Sequence, residues 1–242
     1  MAATNIAKRE LRQVIRKSIS EVPPESIASQ SLVALNILLS MPEYMSARRI
    51  GIYLSMPAGE ILTASMVEDA FLGGKRVFIP YIHKSPLPIV GGQPASMMDM
   101  LSLHSKADFE AFARDRWGIP TPSKESVSGR ENCLGDTGRG IEERVGIEEG
   151  EGGLDLMVMP GMAFDMGLRR LGHGKGYFDF FLQRYSDSRK KGTPVPCLVG
   201  LALKEQVLPD GESIPTDATD WTLDKLIVGD GRLLHSNTNT KS

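Results

Sequence analysis

Apolar residues recur at helical spacing from the start of the chain. Between Ile6 and Ile19, Leu11, Val14, Ile15 and Ile19 share one face while Lys8, Arg12 and Arg16 stack on another. A second helix is predicted from about Pro24 to Leu39, with Ile27, Ala34, Leu35 and Leu38 on one stripe and Pro24 suited to the first turn, where a missing N–H is harmless. The period then changes: "RRIGIYLS" reads as a strand and "MPAGEILT" as its loop. Thr63 is placed to cap a helix running to Phe71, the Gly73-Gly74 pair ends it, and "KRVFIPYI" is the next strand. Between Gly91 and Gly153 the pattern degrades. Ser123 to Gly153, rich in Gly, Ser and Glu, predicts a mobile surface insertion that buries little. Order returns with "LDLMVMP", an apolar run bounded by glycine and proline, as suits a strand buried on both faces. A helix follows, then "PCLVGLA" and "DKLIVGD" as strands. Strands alternating with helices imply an α/β fold whose mainly parallel sheet is covered on both faces.

Composition narrows this further. At 242 residues and 41% hydrophobic content, the chain is expected to form a single domain over 1–242 around a substantial core. A net charge of −2 argues against nucleic acid as a global partner and requires any anion site to be a local concentration of basic residues. Cys133 and Cys197 are too few and too far apart for a disulfide framework or a metal knuckle. No apolar run approaches the roughly 20 residues that span a bilayer, so no membrane partner is expected. Met1 to Ser20 carries Lys8, Arg9, Arg12, Arg16 and Lys17 against Glu10, a composition shared with mitochondrial transit peptides. The alternative, preferred here, is that this helix belongs to a folded cytoplasmic protein. Nothing in the pattern specifies an interface, and a monomer is the expectation.

Gly172, Gly174 and Gly176 alternate with His173 and Lys175 after a strand and before a helix. Glycine costs backbone entropy when fixed, so this spacing suggests that something approaches the main chain closely. Backbone N–H groups and a helix dipole at such a turn favour a phosphate, with Arg170 and Lys175 adding charge; a solvated flexible turn is the plain alternative. Lys8, Arg12 and Arg16 at i,i+4 spacing repel each other by roughly 0.2–0.5 kcal/mol per pair, a cost that a bound polyphosphate would remove. Asp179, four residues after Lys175, suits either an exposed ion pair with it or, with Asp220, a Mg²⁺ site completed by substrate phosphates. Glu60 lies in a loop where a ligand would be met. Tyr177, Phe178, Phe180 and Phe181 read mostly as core at helical spacing.

With these residues in place, the sequence resembles the 5-formyltetrahydrofolate cyclo-ligase family, also called methenyltetrahydrofolate synthetase. The resemblance is carried by "AKRELRQVIRKSI", "PEYMSARRIGIYLSMPAGEILT", "GKRVFIPYI", "WGIPTP", "GGLDLMVMPGMAFD", "RLGHGKGYFDFFL", "LALKEQVLP" and "TDWTLDKLIV". It implies a three-layer α/β sandwich similar to ribose-5-phosphate isomerase-like folds. It also implies ATP- and Mg²⁺-dependent cyclisation of 5-formyltetrahydrofolate, with or without a polyglutamate tail, to 5,10-methenyltetrahydrofolate. By the same resemblance Lys8, Arg12 and the run Arg170, Leu171, Gly172, His173, Gly174, Lys175, Gly176, Tyr177 and Phe178 contact ATP. Leu54, Glu60 and His173 to Tyr177 contact the folate, Lys175, Arg170 and Tyr177 serve catalysis, and Asp179 and Asp220 hold the metal. Three departures stand out: His173 where the family usually has Arg, Phe178 where Tyr is usual, and "MGLRR" in place of a Gly-Asn-Arg approach. The competing readings are a sugar-phosphate isomerase of the same architecture and a catalytically silent nucleotide- or folate-binding module.

Overall fold

A computed structural model describes the chain except residues 1, 86–94, 135–136, 140–151, 189–194 and 237–242. The helices are α1 (Ala2–Ser20), α2 (Pro24–Ser40), α3 (Pro42–Ser46), α4 (Ala64–Leu72), α5 (Lys106–Glu110), α6 (Lys124–Val127) and α7 (Tyr177–Ser188). The strands are β1 (Arg49–Ile52), β2 (Arg76–Lys84), β3 (Ser96–Leu103), β4 (Ala113–Arg114), β5 (Pro120–Thr121), β6 (Leu156–Met159), β7 (Ala163–Phe164), β8 (Arg170–Leu171), β9 (Cys197–Ala202), β10 (Lys225–Val228) and β11 (Leu233–His235). Seven of them form one sheet in the order β11-β10-β9-β6-β1-β2-β3, and the pairs β4-β5 and β7-β8 stand apart. Its five central strands run parallel; β3 and β11 pair antiparallel at the two edges.

Alternation along the strands sorts side chains to two faces. In β6, Leu156 and Val158 join Ile27, Ala34 and Leu38 of α2 and Met66, Val67 and Ala70 of α4. Met157 and Met159 point the other way, to Phe181, Leu182 and Tyr185 of α7. This is the helix-flanked, mainly parallel α/β sheet that the pattern predicts. α1 lies outside these layers, where Leu11, Ile15 and Ile19 pack on Ala163, Leu171, Leu208 and Ile214. Burying a side chain such as Ile15 contributes about 1.5–3 kcal/mol, well above the repulsion along its basic face, so apolar contact anchors the helix. Val14, expected on that stripe, is instead 65% exposed.

Three sequence expectations need correction. β3 falls where the pattern looked degraded; its apolar run is interrupted by Asp99, yet Met97 through Leu101 are all buried. Edge position does not expose it, because Leu101 bridges Asn132 and Cys133 N–H donates to Met100 O. The first part of the supposed insertion is therefore packed: Val127, Arg130, Asn132 and Cys133 are buried, and Arg130 grips both oxygens of Asp108. Residues 140–151 of that segment lie outside the described residues. Thr63 precedes α4 as expected but does not cap it. Its hydroxyl donates to Tyr53 O and accepts from Ser55 N–H, tying the helix start to the loop after β1.

The Tyr185 hydroxyl accepts a 2.6 Å hydrogen bond from buried Leu154 N–H, which leads into β6. Tyr185→Phe removes this acceptor from a buried donor and is expected to lower unfolding free energy by about 1–3 kcal/mol in urea titrations.

Candidate active site

The parallel strands β1 and β6 end on the same side of the sheet and open into the loops 53–63 and 160–176. In such sheets, ligands bind outside the carboxyl ends of the strands. The second loop is shaped by a hairpin, β7 against β8, whose turn closes on Asp165. That carboxylate is fully buried and accepts from Gly167 N–H and Arg169 N–H through Oδ1, and from Arg169 Nε and Ile214 N–H through Oδ2. Four donors satisfy both oxygens, so Asp165 ties the turn to the 209–220 segment.

Beyond the hairpin the chain passes through Gly172, His173, Gly174, Lys175 and Gly176 into α7. Gly174 and Gly176 have φ of +89° and +67°, a region that side chains with a Cβ rarely enter. A Cβ on Gly172 would lie 2.9 Å from Arg170 Nη1, and one on Gly174 would lie 3.2 Å from Arg12 Cζ. Backbone conformation thus favours glycine at positions 174 and 176, while Gly172 and Gly174 leave room for the Arg170 and Arg12 guanidinium groups against the main chain. The first amides of α7 have no partner within the helix and face this loop.

Arg170 is buried, with Nη2 donating to Asp179 Oδ2 at 2.8 Å and its guanidinium 5.7 Å from the Phe178 ring. Asp179 therefore turns to Arg170, and the i,i+4 pair with Lys175 does not form. Asp179 Oδ1 accepts from Trp221 N–H, which fixes the neighbouring Asp220. Asp220 Oδ2 in turn accepts from Lys8 Nζ at 2.6 Å and from Asp217 N–H, while Asp217 Oδ2 lies 3.1 Å from the same ammonium. Arg12 Nε donates to Gly172 O. Burial alone would lower the Lys8 pKa, but hydrogen bonds to Asp220 and Asp217 outweigh it and raise the value. Burial lowers the Arg12 pKa against the opposing charge of Asp220, and Arg16 adds to the lowering.

Glu60 joins the two loops. It is buried; Oε2 accepts from Met56 N–H, and Oε1 lies 3.4 Å from His173 Nε2. Tyr53, beneath it, has its pKa raised first by burial and then by the Glu60 charge. Leu54 lines an adjoining cleft of about 400 Å³ with Met56, Pro57, Leu62, Phe109 and Arg114. Leu171 is buried under α1, so only its backbone can face a ligand, and Tyr177 and Phe178 are half-buried at the helix start. Lys175 is exposed and, among the described residues, is the cation of this loop with no ion pair.

A Mg²⁺ ion fits this arrangement only in part. Both Asp179 oxygens already accept hydrogen bonds, and Asp220 offers Oδ1 because Oδ2 takes Lys8 and Asp217. Among the described residues no group of three or more His, Cys, Asp and Glu is placed to hold a metal. The donors suit an ion that arrives with phosphates and keeps its waters.

The model of the 5-formyltetrahydrofolate cyclo-ligase family matches residues 4–229. The chain belongs to this family. Similarity to its named members extends over most of the chain. A Mus musculus protein named 5-formyltetrahydrofolate cyclo-ligase is 32% identical over 227 residues, covering 93% of this chain and 95% of its own. A Saccharomyces cerevisiae protein of that name is 28% identical over 227 residues, covering 93% and 97%. An Arabidopsis thaliana relative, 27% identical over 93% of this chain and 74% of its own, is named as mitochondrial. The NMR structure of Aquifex aeolicus 5,10-methenyltetrahydrofolate synthetase superposes with a TM-score of 0.63 at 25% identity, over 97% of this chain and 95% of that one. Family membership makes the chain a cyclo-ligase-type enzyme and leaves a catalytically silent binding module without support.

Of the residues gathered at this candidate site, the sequence points to the glycine loop, Lys8, Arg12, Glu60 and the two aspartates, but not to Asp165 or Asp217. Asp165 stands in "GMAFDMGLRR" as an ordinary turn residue, and only its four donors mark it. Asp217 is pushed down to about 2 by hydrogen bonds from the Thr219 hydroxyl and amide and from Lys8, against a small burial effect. Its stabilising contribution is complete above its unfolded value near 4 and disappears as pH falls towards 2. Unfolding free energy should therefore drop between about pH 4 and 2 more steeply in the native protein than in Asp217→Asn. Superimposed acid limbs would contradict this placement.

Proposed function

We propose that the chain catalyses ATP- and Mg²⁺-dependent conversion of 5-formyltetrahydrofolate to 5,10-methenyltetrahydrofolate, ADP and phosphate. What carries the reading is the contact of Glu60 with His173, which sets the cleft beside Leu54 next to a glycine loop ending at the N-terminus of α7. A ring held in the cleft then has its reacting group next to a phosphate seat.

The formyl group on N5 is amide-like, and its oxygen leaves poorly. The γ-phosphoryl group of ATP passes to that oxygen and ADP is released. N10 attacks the activated carbon and gives up its proton, and phosphate departs with the former formyl oxygen, closing the bridge. Positioning and charge neutralisation are the protein's main contribution. The loop amides and the free N–H groups of α7 receive phosphate oxygens. Lys175, held by no carboxylate, follows the charge that moves during transfer. Lys8 and Arg12 present the nucleotide side, and Arg170 supports the loop from beneath. Glu60 Oε1 accepts an N–H of the pterin, Leu54 packs on its ring, and Tyr177 flanks the reacting group. Mg²⁺ would be held by Asp220 Oδ1 with Asp179 behind it, and when bound supplies charge neutralisation at the phosphates.

We also place the enzyme in the cytoplasm. α1, whose composition resembles a transit peptide, is packed through Ile15 and bonded through Lys8 and Arg12, so it forms part of the site. Among the described residues no helix is long and apolar enough to cross a membrane. Recovery of the protein in a mitochondrial fraction would contradict this assignment.

The reaction is tested by following methenyl absorbance and ADP together. One ADP per methenyl group, with no ATP consumed when 5-formyltetrahydrofolate is left out, is the expected result; ATP loss without the folate, or no product, would reject it. In the same assay Lys175→Ala should lower kcat by at least about 100-fold, by analogy with removal of one transition-state donor. A rise confined to KM would reassign Lys175 to ground-state binding.

A further inference from the structure

Strands β1, β6 and β9 lie side by side in parallel, with β6 in the middle. The first two open into the loops 53–63 and 160–176, and β9 opens into a 3₁₀ turn, Lys204–Gln206. This turn leads along the β7–β8 hairpin: Val207 bridges Phe164, and Leu208 N–H donates to Phe164 O. Gln206 is buried, so its carboxamide has to find its partners within the protein. Oε1 accepts from Leu203 N–H at 2.8 Å, while Nε2 donates to Gly161 O at 2.7 Å and, more loosely, to Gly59 O at 3.5 Å. With an N–H group on one side and two carbonyls on the other, only this orientation of the amide satisfies its partners. One side chain from the end of β9 thus reaches past the β6 loop to the β1 loop, although β9 and β1 are not neighbours in the sheet.

Both carbonyls belong to main chain that places functional side chains. Gly59 precedes Glu60; its φ is +82°, and a Cβ there would lie 3.0 Å from Ile19 Cγ2 of α1. Gly161 stands at the root of the glycine-loop segment. A Cβ on it would lie 3.0 Å from Arg170 Cγ and 2.6 Å from Phe164 Cζ, and Pro160 O beside it accepts from Arg170 Nη1 at 3.4 Å. A displacement of Gly161 is therefore passed to Arg170 and on to Gly172. The Glu60–His173 contact also joins the two loops, but His173 is exposed and water competes for it. Gln206 joins them where water is excluded, and a hydrogen bond there is costlier to lose. Gln206 does not line the cleft beside Leu54, so it acts through the two loops and not on a ligand directly.

We propose that Gln206 is a positioning residue for the cyclisation: its carboxamide sets the spacing between the loop that carries Glu60 and the loop that carries Lys175, and with it the approach of the formyl oxygen to the γ-phosphoryl group. The proposal rests on the cyclo-ligase reading above. The native enzyme, Gln206→Met and Gln206→Glu are compared in kcat and in KM for ATP and for 5-formyltetrahydrofolate across pH, with circular dichroism at each pH showing that the protein assayed is folded. Met keeps the shape and removes the donors, so kcat should fall at least about tenfold while both KM values stay within about threefold: each loop still receives its own substrate, and only their mutual placement is lost. A neutral Glu restores part of the pattern, accepting from Leu203 N–H and donating its O–H to Gly161 O; once ionised it faces the carbonyls with no donor. The kcat of Gln206→Glu relative to native should therefore be highest in acid and fall as pH rises. A native kcat in Gln206→Met, a loss confined to the KM of one substrate, or a Gln206→Glu to native ratio that is flat with pH would overturn the proposal. If Gln206→Met does not fold, the pH dependence of that ratio decides alone. Failure of the cyclo-ligase reading looks different: the native enzyme itself would form no methenyl product.

Discussion

The pair of buried Arg170 and half-buried Asp179 is the contact on which the site depends. Arg170 comes from the last strand before the glycine loop and Asp179 from the first turn of α7, so their 2.8 Å bond closes the loop at its base. Its geometry then propagates. The Arg170 guanidinium lies close against Gly172, where a Cβ would come within 2.9 Å of Nη1, and Asp179 uses its other oxygen to hold Trp221 N–H. That bond sets Asp220, which receives Lys8 of α1. A helix from the first residues, a loop from the middle and a segment near residue 220 are connected through one guanidinium and two carboxylates. Removing Asp179 would leave the buried Arg170 guanidinium without its carboxylate, a larger loss than that of an exposed ion pair.

The same connections bear on how a chain of net charge −2 would present the proposed anion seat. Most cations around the loop are already committed: Arg170 to Asp179, Lys8 to Asp217 and Asp220, Arg169 to Asp165. They act as struts, and their charges are largely spent on the fold. The attraction left for a phosphate comes from main-chain N–H groups, the end of α7, Arg12 and exposed Lys175. In this view the basic face of α1 is less a patch of free charge than a set of anchors pointing inward.

The helices and central strands were legible because each buries one stripe or both faces of a regular repeat, as α2, α4, β1, β6 and β9 do. β3 was not, since an edge strand covered by residues 131–133 carries buried polar groups such as Asp99 that break the apolar run. The glycine loop was legible from spacing alone, with its chemistry supplied by family resemblance. Its partners were harder: Lys8 meets Asp217 across 209 positions, and nothing local announces that. Local spacing even misled at Asp179, where the i,i+4 neighbour Lys175 lost to Arg170. A buried guanidinium needs a carboxylate more than an exposed ammonium does.

A double-mutant cycle on Arg170 and Asp179 is the most direct test of the claim that this pair organises the site. The substitutions are Arg170→Gln and Asp179→Asn, singly and together, read as kcat/KM for the proposed ATP-dependent cyclisation. If the two residues act as one structural unit, each single variant loses most of the activity and the double variant is little worse than either. Losses that multiply would mean that the two side chains act independently, and would contradict this account.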